Sequence, residues 1–298
     1  MKQYVLYNPH AGNGTAEEAA KTLAKTNPDS CVLLNMTAIE SYASLLSGIA
    51  AEDTLTVCGG DGTLNRFIND TKGLDIPCEV YYLAVGSGND FLRDLDKTPD
   101  GTPVCITRYI RDLPVTEVKG KTYRFLNNVG YGIDGYCCEV GDEQKAKSVK
   151  AVNYTAIAIK GLLFHYKPKN AVITVDGKEY SFRKVWLAPT MKGRYYGGGM
   201  MATPAQDRTA EDGKLSVMLF HGSSSLRTLM IFPSIFKGEH IYHKCVKTVK
   251  GKEITVSFDK PTALQVDGET FRGVTSYTVK TQVDVAAEQK KKEKEAVC

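Results

Sequence analysis

Val57-Cys58-Gly59-Gly60-Asp61-Gly62-Thr63-Leu64-Asn65 joins an apolar run, residues 54–58, to a segment with helical spacing at Leu64, Phe67 and Ile68. Three glycines in four positions open backbone angles closed to other residues. They also let peptide N–H groups approach a ligand closely, as loops that cradle phosphate do. Asp61 stands among them, where a carboxylate can meet a metal ion carried on phosphates. The plain alternative is a tight strand-to-helix turn capped by an acid. No Gly-Lys-Ser/Thr follows, so the stretch is not a Walker A loop.

Upstream, residues 4–7 read as a strand, 8–14 as a loop and 16–25 as a helix, with Thr15 and Glu18 fitting a capping box. A second strand over 31–34 precedes a helix over 39–51 with Tyr42, Leu45, Leu46 and Ile49 on one face. Downstream, the helix runs to about residue 70. A strand over 80–85 then leads through Gly86-Ser87-Gly88-Asn89-Asp90 to a short helix from Phe91. Strands alternating with helices predict βαβ units and a parallel sheet. The glycine loops leave carboxyl ends of strands, where open α/β sheets bind ligands.

After about residue 113 the character changes. A strand over 122–127, a glycine-rich stretch over 128–134 and a long helix over 145–166 are followed mainly by β signals. These lie at 171–175, 180–188, 214–220, 253–258, 263–266 and 275–285, with an Asp176-Gly177 hairpin turn. A further helix over 224–237 carries Pro233, which bends or ends it. The expected organisation is α/β plus all-β. Residues 1–120 form a nucleotide-binding, doubly wound parallel domain, and 121–285 an antiparallel β-sandwich domain for the substrate. Residues 286–298 form a charged tail expected to be disordered.

The chain has 298 residues, enough for two cores, with 42% apolar and 24% charged residues, as in globular proteins. A net charge of +4 permits attraction to phosphates or anionic lipid but does not demand it. No RRM-like strand, zinc finger or long basic stripe is present, so nucleic acid is not an expected partner. Eight cysteines without a CxxC pair read as reduced thiols of a cytosolic protein. The first residues hold too short an apolar run for a signal peptide, and 154–164 is too short to span a bilayer. Membrane contact is therefore expected to be peripheral. His240 and His243 lack further ligands and read as structural or surface residues, not as a zinc site.

Taken in order, Asn8-Pro9 with Gly12, Gly59 to Asn65, and Gly86 to Phe91 are joined by Asn127 to Gly132, Gly197-Gly198-Gly199-Met200, Glu211 to Leu215, and Val266-Asp267-Gly268-Glu269. This ordered set resembles the soluble diacylglycerol kinase family, whose catalytic domain is shared with sphingosine and ceramide kinases. Gly-Gly-Asp-Gly alone is also similar to phosphofructokinases and NAD kinases. The resemblance covers nearly all the chain except the tail. It implies an NAD kinase-like nucleotide domain, a C-terminal β-sandwich and a lipid site in the cleft between them.

The resemblance implies ATP and Mg²⁺ as cofactors. Asn8, Thr37, Gly59, Gly60, Asp61, Gly62, Thr63, Asn65 and Ser87 would then contact nucleotide, and Asp61 would hold Mg²⁺ directly or through water. Asp90 would be the second acidic partner, with helix capping as its plain role. Glu269 matches the family's position for the base that takes the lipid hydroxyl proton, and otherwise is an exposed turn carboxylate. Asp212, with backbone carbonyls of Thr209 and Lys214, matches a second, structural Mg²⁺ position. Glu117 stands where the family usually has an aspartate of an acidic network, and Asp134 is a further candidate for it.

The leading expectation is direct phosphoryl transfer from ATP to diacylglycerol by a cytoplasmic, peripherally membrane-associated enzyme. A homodimer is allowed. The alternatives are a kinase of a sphingoid base or ceramide, a kinase of a soluble metabolite resembling NAD kinase, and a lipid-binding regulatory protein without turnover. Residues 162–169 join apolar bulk to basic side chains and read either as a helix end on a core or as a headgroup contact.

Overall fold

A computed structural model describes residues 1–86, 88–147 and 152–281. It divides into one unit of Met1–Arg111 with Gly197–Gly199, and a second beginning at Asp112 that takes the remainder. Among the described residues no helix is long and apolar enough to cross a membrane.

The first unit runs β1 Gln3–Tyr7, α1 Thr15–Ala24, β2 Cys31–Asn35, α2 Tyr42–Ser47, β3 Thr54–Gly59, α3 Asp61–Asp70, β4 Glu79–Ala84, α4 Asp90–Asp94, β5 Val104–Cys105 and α5 Thr107–Ile110. Its sheet has the order β2-β1-β3-β4-β5, parallel except for β5. β3 is buried from Leu55 to Gly59, as expected of a central parallel strand covered on both faces. On one face Ala16 and Ala20, one turn apart on α1, pack with Val5, Cys58 and Leu83. Leu64, Phe67 and Ile68 form the buried stripe of α3, and the Phe67 ring meets Tyr42 of α2 edge-on at 6.0 Å.

Local expectations fail at three places. Gly14, with φ 93°, takes the N-cap of α1, and the Thr15 hydroxyl donates to Gly12 O at 2.8 Å, so no capping box forms. The second helix covers only Tyr42–Ser47. A 3-10 turn, Met36–Ala38, stands before it and Gly48 ends it. Residues 104–105, which carry no strong strand signal, pair antiparallel at the sheet edge.

The second unit contains β6 Val115–Val118, β7 Lys121–Arg124, β8 Asn128–Tyr131, α6 Ile133–Lys147, α7 Tyr154–Lys160, β9 Lys169–Val175, β10 Lys178–Val185, β11 Thr190–Met191, β12 Tyr195–Tyr196, β13 Met200–Met201, β14 Leu215–Phe220, α8 Ser225–Ile231, β15 Val246–Gly251, β16 Glu253–Val266 and β17 Glu269–Lys280. An antiparallel sheet runs β15-β14-β11-β8-β16-β17-β6-β7, with the β9-β10 hairpin joined to β16. β16 is one long strand, paired with β9 through its first half and with β8 through its second. Inward residues of β6, β8, β9, β14, β16 and β17 meet in one core.

β14 is buried at every position. Leu215, Val217 and Leu219 enter the core between the strands, while Met218 and Phe220 face a second core roofed by α6, α7 and α8. That is why its last four residues, Val217 to Phe220, read as an apolar run rather than an alternation. The long helix expected over 145–166 is instead α6, starting at Ile133, then α7 and a π-helical turn, Gly161–His165. Residues 128–131, within the glycine-rich stretch, form β8. At Gly135 an added Cβ would run into Ala263 O, so that glycine serves close packing. As expected, α8 ends before Pro233, which opens a 3-10 run, Phe232–Lys237. The seven described cysteines are free. The tail over 286–298 lies outside the described residues.

Candidate functional site

In the first unit the chain leaves β1 toward β2 and leaves β3 toward β4, so connections diverge between neighbouring strands β1 and β3. Open α/β sheets bind ligands at such a divergence. Asn8 follows β1 there, and Gly60 with Asp61 follows β3. The Asn8 N–H donates to Cys58 O at 3.4 Å, and its Nδ2 donates to Thr63 Oγ1 at 3.4 Å. Thr63 is buried, and a Cβ at Gly59 would overlap its side chain. A Cβ at Gly86 would lie 2.8 Å from the Gly60 Cα, so the loops after β3 and β4 touch through bare backbone. α3 opens at this edge and presents the positive end of its dipole.

Asp61 reaches across these loops. Its Oδ2 accepts the Asp90 N–H at 2.8 Å and its Oδ1 the Phe91 N–H at 3.1 Å. The N-cap of α4 is Asn89, at φ 49°, with no capping bond of its own. Asp90 therefore does not cap its helix. Its carboxylate accepts the Gly198 and Gly199 N–H groups, each at 2.7 Å. Gly197, Gly198 and Gly199 have φ of 63°, 83° and 107°, a left-handed run suited to glycine. Both carboxylates flank Gly88, whose added Cβ would lie 3.4 Å from Asp61 Oδ2 and 3.9 Å from Asp90 Oδ2. Burial pushes the Asp90 carboxyl up to about 6, the Asp61 charge adds to the rise, and the two glycine N–H groups and Arg93 oppose it.

The other sequence candidates are placed unevenly. The structure brings Asn8, Gly59, Gly60, Asp61, Thr63 and Asp90 together. Gly62 is exposed on the first turn of α3, and Asn65 is buried one turn on, where its carbonyl accepts from Asn69 Nδ2 at 3.0 Å. Thr37 donates both its N–H and its hydroxyl to Asn35 Oδ1, at 2.9 and 2.8 Å, just past β2. Ser87 lies outside the described residues.

In the second unit Glu269 is the exposed first residue of β17. Beside it, Asp267, at φ 45°, accepts the N–H groups of Leu126, Asn127 and Asn128. Arg208 completes this knot by donating to Leu126 O and Asn127 Oδ1, each at 2.8 Å. Asp212 accepts the Lys214 N–H at 3.1 Å and pairs with its ammonium at 3.3 Å, while Thr209 is tied to Asp207. Glu117 is exposed on β6. Asp134 is buried at the start of α6, and burial pushes its carboxyl up to about 7.

Asp267, Arg208 and the Asp90–glycine contact were not assigned roles from the sequence. The run of three glycines and the Asp267-Gly268 turn were their local signals.

The first unit's residues fit a phosphate–metal group. Asp90 accepts two N–H groups where a carboxylate has about four acceptor sites, and Asp61 brings a second carboxylate to the same loops. Among the described residues no group of three or more His, Cys, Asp or Glu converges. Mg²⁺ suits such a sparse donor set, since it is held by one or two carboxylates with waters and substrate phosphates.

The chain matches the diacylglycerol kinase catalytic domain over residues 2–118 and the YegS C-terminal NAD kinase beta sandwich-like domain over residues 127–285. It is 26% identical over 267 residues to the diacylglycerol kinase of Mycobacterium tuberculosis strain H37Rv, covering 86% of this chain and 84% of that one. A crystal structure of a diacylglycerol kinase from Bacillus anthracis strain Sterne superposes with a TM-score of 0.59 at 20% identity, covering 94% of this chain and 93% of the other. A further chain from that strain reaches 0.65 at 21% identity, with 94% of each covered. Two domain matches in series, on a parallel α/β unit and an antiparallel one, show that the chain belongs to the diacylglycerol kinase family of lipid kinases, and so to the phosphotransferases.

Proposed function

We propose that the protein transfers the γ-phosphoryl group of ATP to the free hydroxyl of diacylglycerol, forming phosphatidic acid. The observation that carries this reading is the meeting of bare glycine backbone with the paired carboxylates Asp61 and Asp90 at the carboxyl edge of β1, β3 and β4. Gly59, Gly60 and Gly86 let Thr63 and the two loops close together at the start of α3, whose dipole favours phosphate charge. Mg²⁺, when bound, neutralises charge on the transferring group. Asp61 and Asp90 would hold it, while their bonds to Phe91, Gly198 and Gly199 fix the surrounding loops. Glu269 takes the hydroxyl proton as the lipid oxygen bonds to phosphorus and the bond to ADP breaks, with no phosphoenzyme.

The test is incubation with Mg-ATP and a total lipid extract, followed by mass spectrometry. Phosphatidic acid should accumulate as diacylglycerol falls. Phosphate gained by a sphingoid base or ceramide instead would replace the acceptor. Phosphorylation of NAD with no lipid product would overturn the reading.

A further inference from the structure

α7 with the π-helical turn after it, and α8 with the 3-10 run after it, lie over the same core. Ile157, Leu162, Ile231 and Ile235 all point into it. α8 packs directly against the π-helical turn. With the inner faces satisfied, the outer faces should be polar. They are not. Phe164 is 75% exposed, Met230 67% and Leu226 62%, and Ile159, Leu163 and Phe236 are also exposed. Leu226 and Met230 are four apart and share one side of α8. Single exposed apolar residues need no explanation, but a group on abutting segments marks an interaction surface.

The charge around this face identifies the partner. Residues 152–169 include Lys160, Lys167 and Lys169 and no acid, and residues 222–244 include Arg227, Lys237 and Lys244 with Glu239 as the one acid. Lys160, Lys167, Arg227, Lys237 and Lys244 are exposed. Exposed apolar side chains and exposed cations on the same abutting segments match the boundary of an anionic bilayer, with acyl chains below and phosphates above. A second copy is a poor fit, because a two-fold axis would set this cationic face against itself.

We propose that this face of the second unit docks on an anionic lipid bilayer, with Phe164, Leu226 and Met230 entering the acyl boundary while Lys160, Arg227 and Lys237 meet the headgroups. The inference deepens the lipid-kinase reading, since a water-insoluble acceptor has to be drawn from a bilayer.

The test is co-sedimentation of the full chain with phosphatidylcholine vesicles, with and without phosphatidylglycerol. Binding should require the anionic lipid. Arg227→Gln and Lys237→Gln should each weaken it about fivefold. Phe164→Ser with Met230→Ser should weaken it by more than about tenfold. Phosphorylation of a short-chain, water-dispersed diacylglycerol is the parallel measurement. All these variants should retain it, and its absence from the unaltered protein would sink the kinase reading instead. Variants that keep this activity and bind vesicles like the unaltered protein overturn the docking proposal. So does a dimer in solution that the same substitutions dissociate. Hydrogen exchange on the unaltered protein needs no variant. Residues 154–165 and 225–242 should gain protection on anionic vesicles, and protection confined to other segments refutes the assignment.

Discussion

Each unit fastens a glycine-bearing loop by letting an aspartate collect successive backbone N–H groups, yet the two differ in how the charge is balanced. In the second unit Asp267 gathers three N–H groups, and Arg208 holds the same segment from the other side. In the first unit Asp61 and Asp90 both approach Gly88, and the nearness of two acids helps raise one of them. Arg93 offsets only part of this. One knot is electrically closed and suits a scaffold. The other brings two acids together at the carboxyl edge of a parallel sheet and raises one of them, as working sites do.

The contrast is open to direct attack. Asp61→Ala should have the largest effect. Losing transition-state stabilisation of several kcal/mol implies a fall in turnover beyond about a thousandfold. Losing the contacts at α4 should cost only about 1–2 kcal/mol of stability. Turnover assays beside urea denaturation separate the two, and an activity loss that merely follows unfolding would make Asp61 scaffold. Glu269→Gln should lower kcat by about 10²–10⁴-fold with ATP affinity unchanged. A change in ATP affinity alone, read by titration calorimetry, would remove its role as base.

Asp134 tests the second unit by pH. Its folded carboxyl titrates at about 7 against 3.8 for the unperturbed group, so between these values the folded state holds the proton that the unfolded state has released. Stability attributable to Asp134 should therefore fall as pH rises from about 4 to about 7, by at most about 4 kcal/mol. Comparing denaturation of the parent and Asp134→Asn across that range isolates the slope, and parallel curves would refute it. Asp267→Ala, at a partly exposed turn, should cost about 2 kcal/mol, with turnover per folded molecule reduced far less than by Asp61→Ala.

The same contrast explains what could be read from the sequence. Gly59 to Asn65 announced both a strand end and a helix start, because loop and periodicity lie next to each other in the chain. The partner of Asp61 could not be read, since the N–H groups it binds are 29 and 30 residues on. Asp90 could be read as a second acidic partner or a helix cap, but not as the acceptor of amides more than a hundred residues away. The glycines around residues 130–135 hid β8 and the start of α6. There they admit neighbouring groups rather than make turns: a Cβ at Gly130 would overlap Asp134, and one at Gly135 would overlap Ala263. β6, β11 and β15 were missed because pairing partners distant in sequence decide them, not their own pattern.

β14 serves as a party wall, with one set of its side chains in each of two compartments. Peeling away α6, α7 and α8 would wet Met218 and Phe220, and opening the strands would wet Leu215, Val217 and Leu219. Neither compartment can melt while the other stays dry, so the second unit should unfold in a single event, with the amides of residues 215–220 the last to exchange.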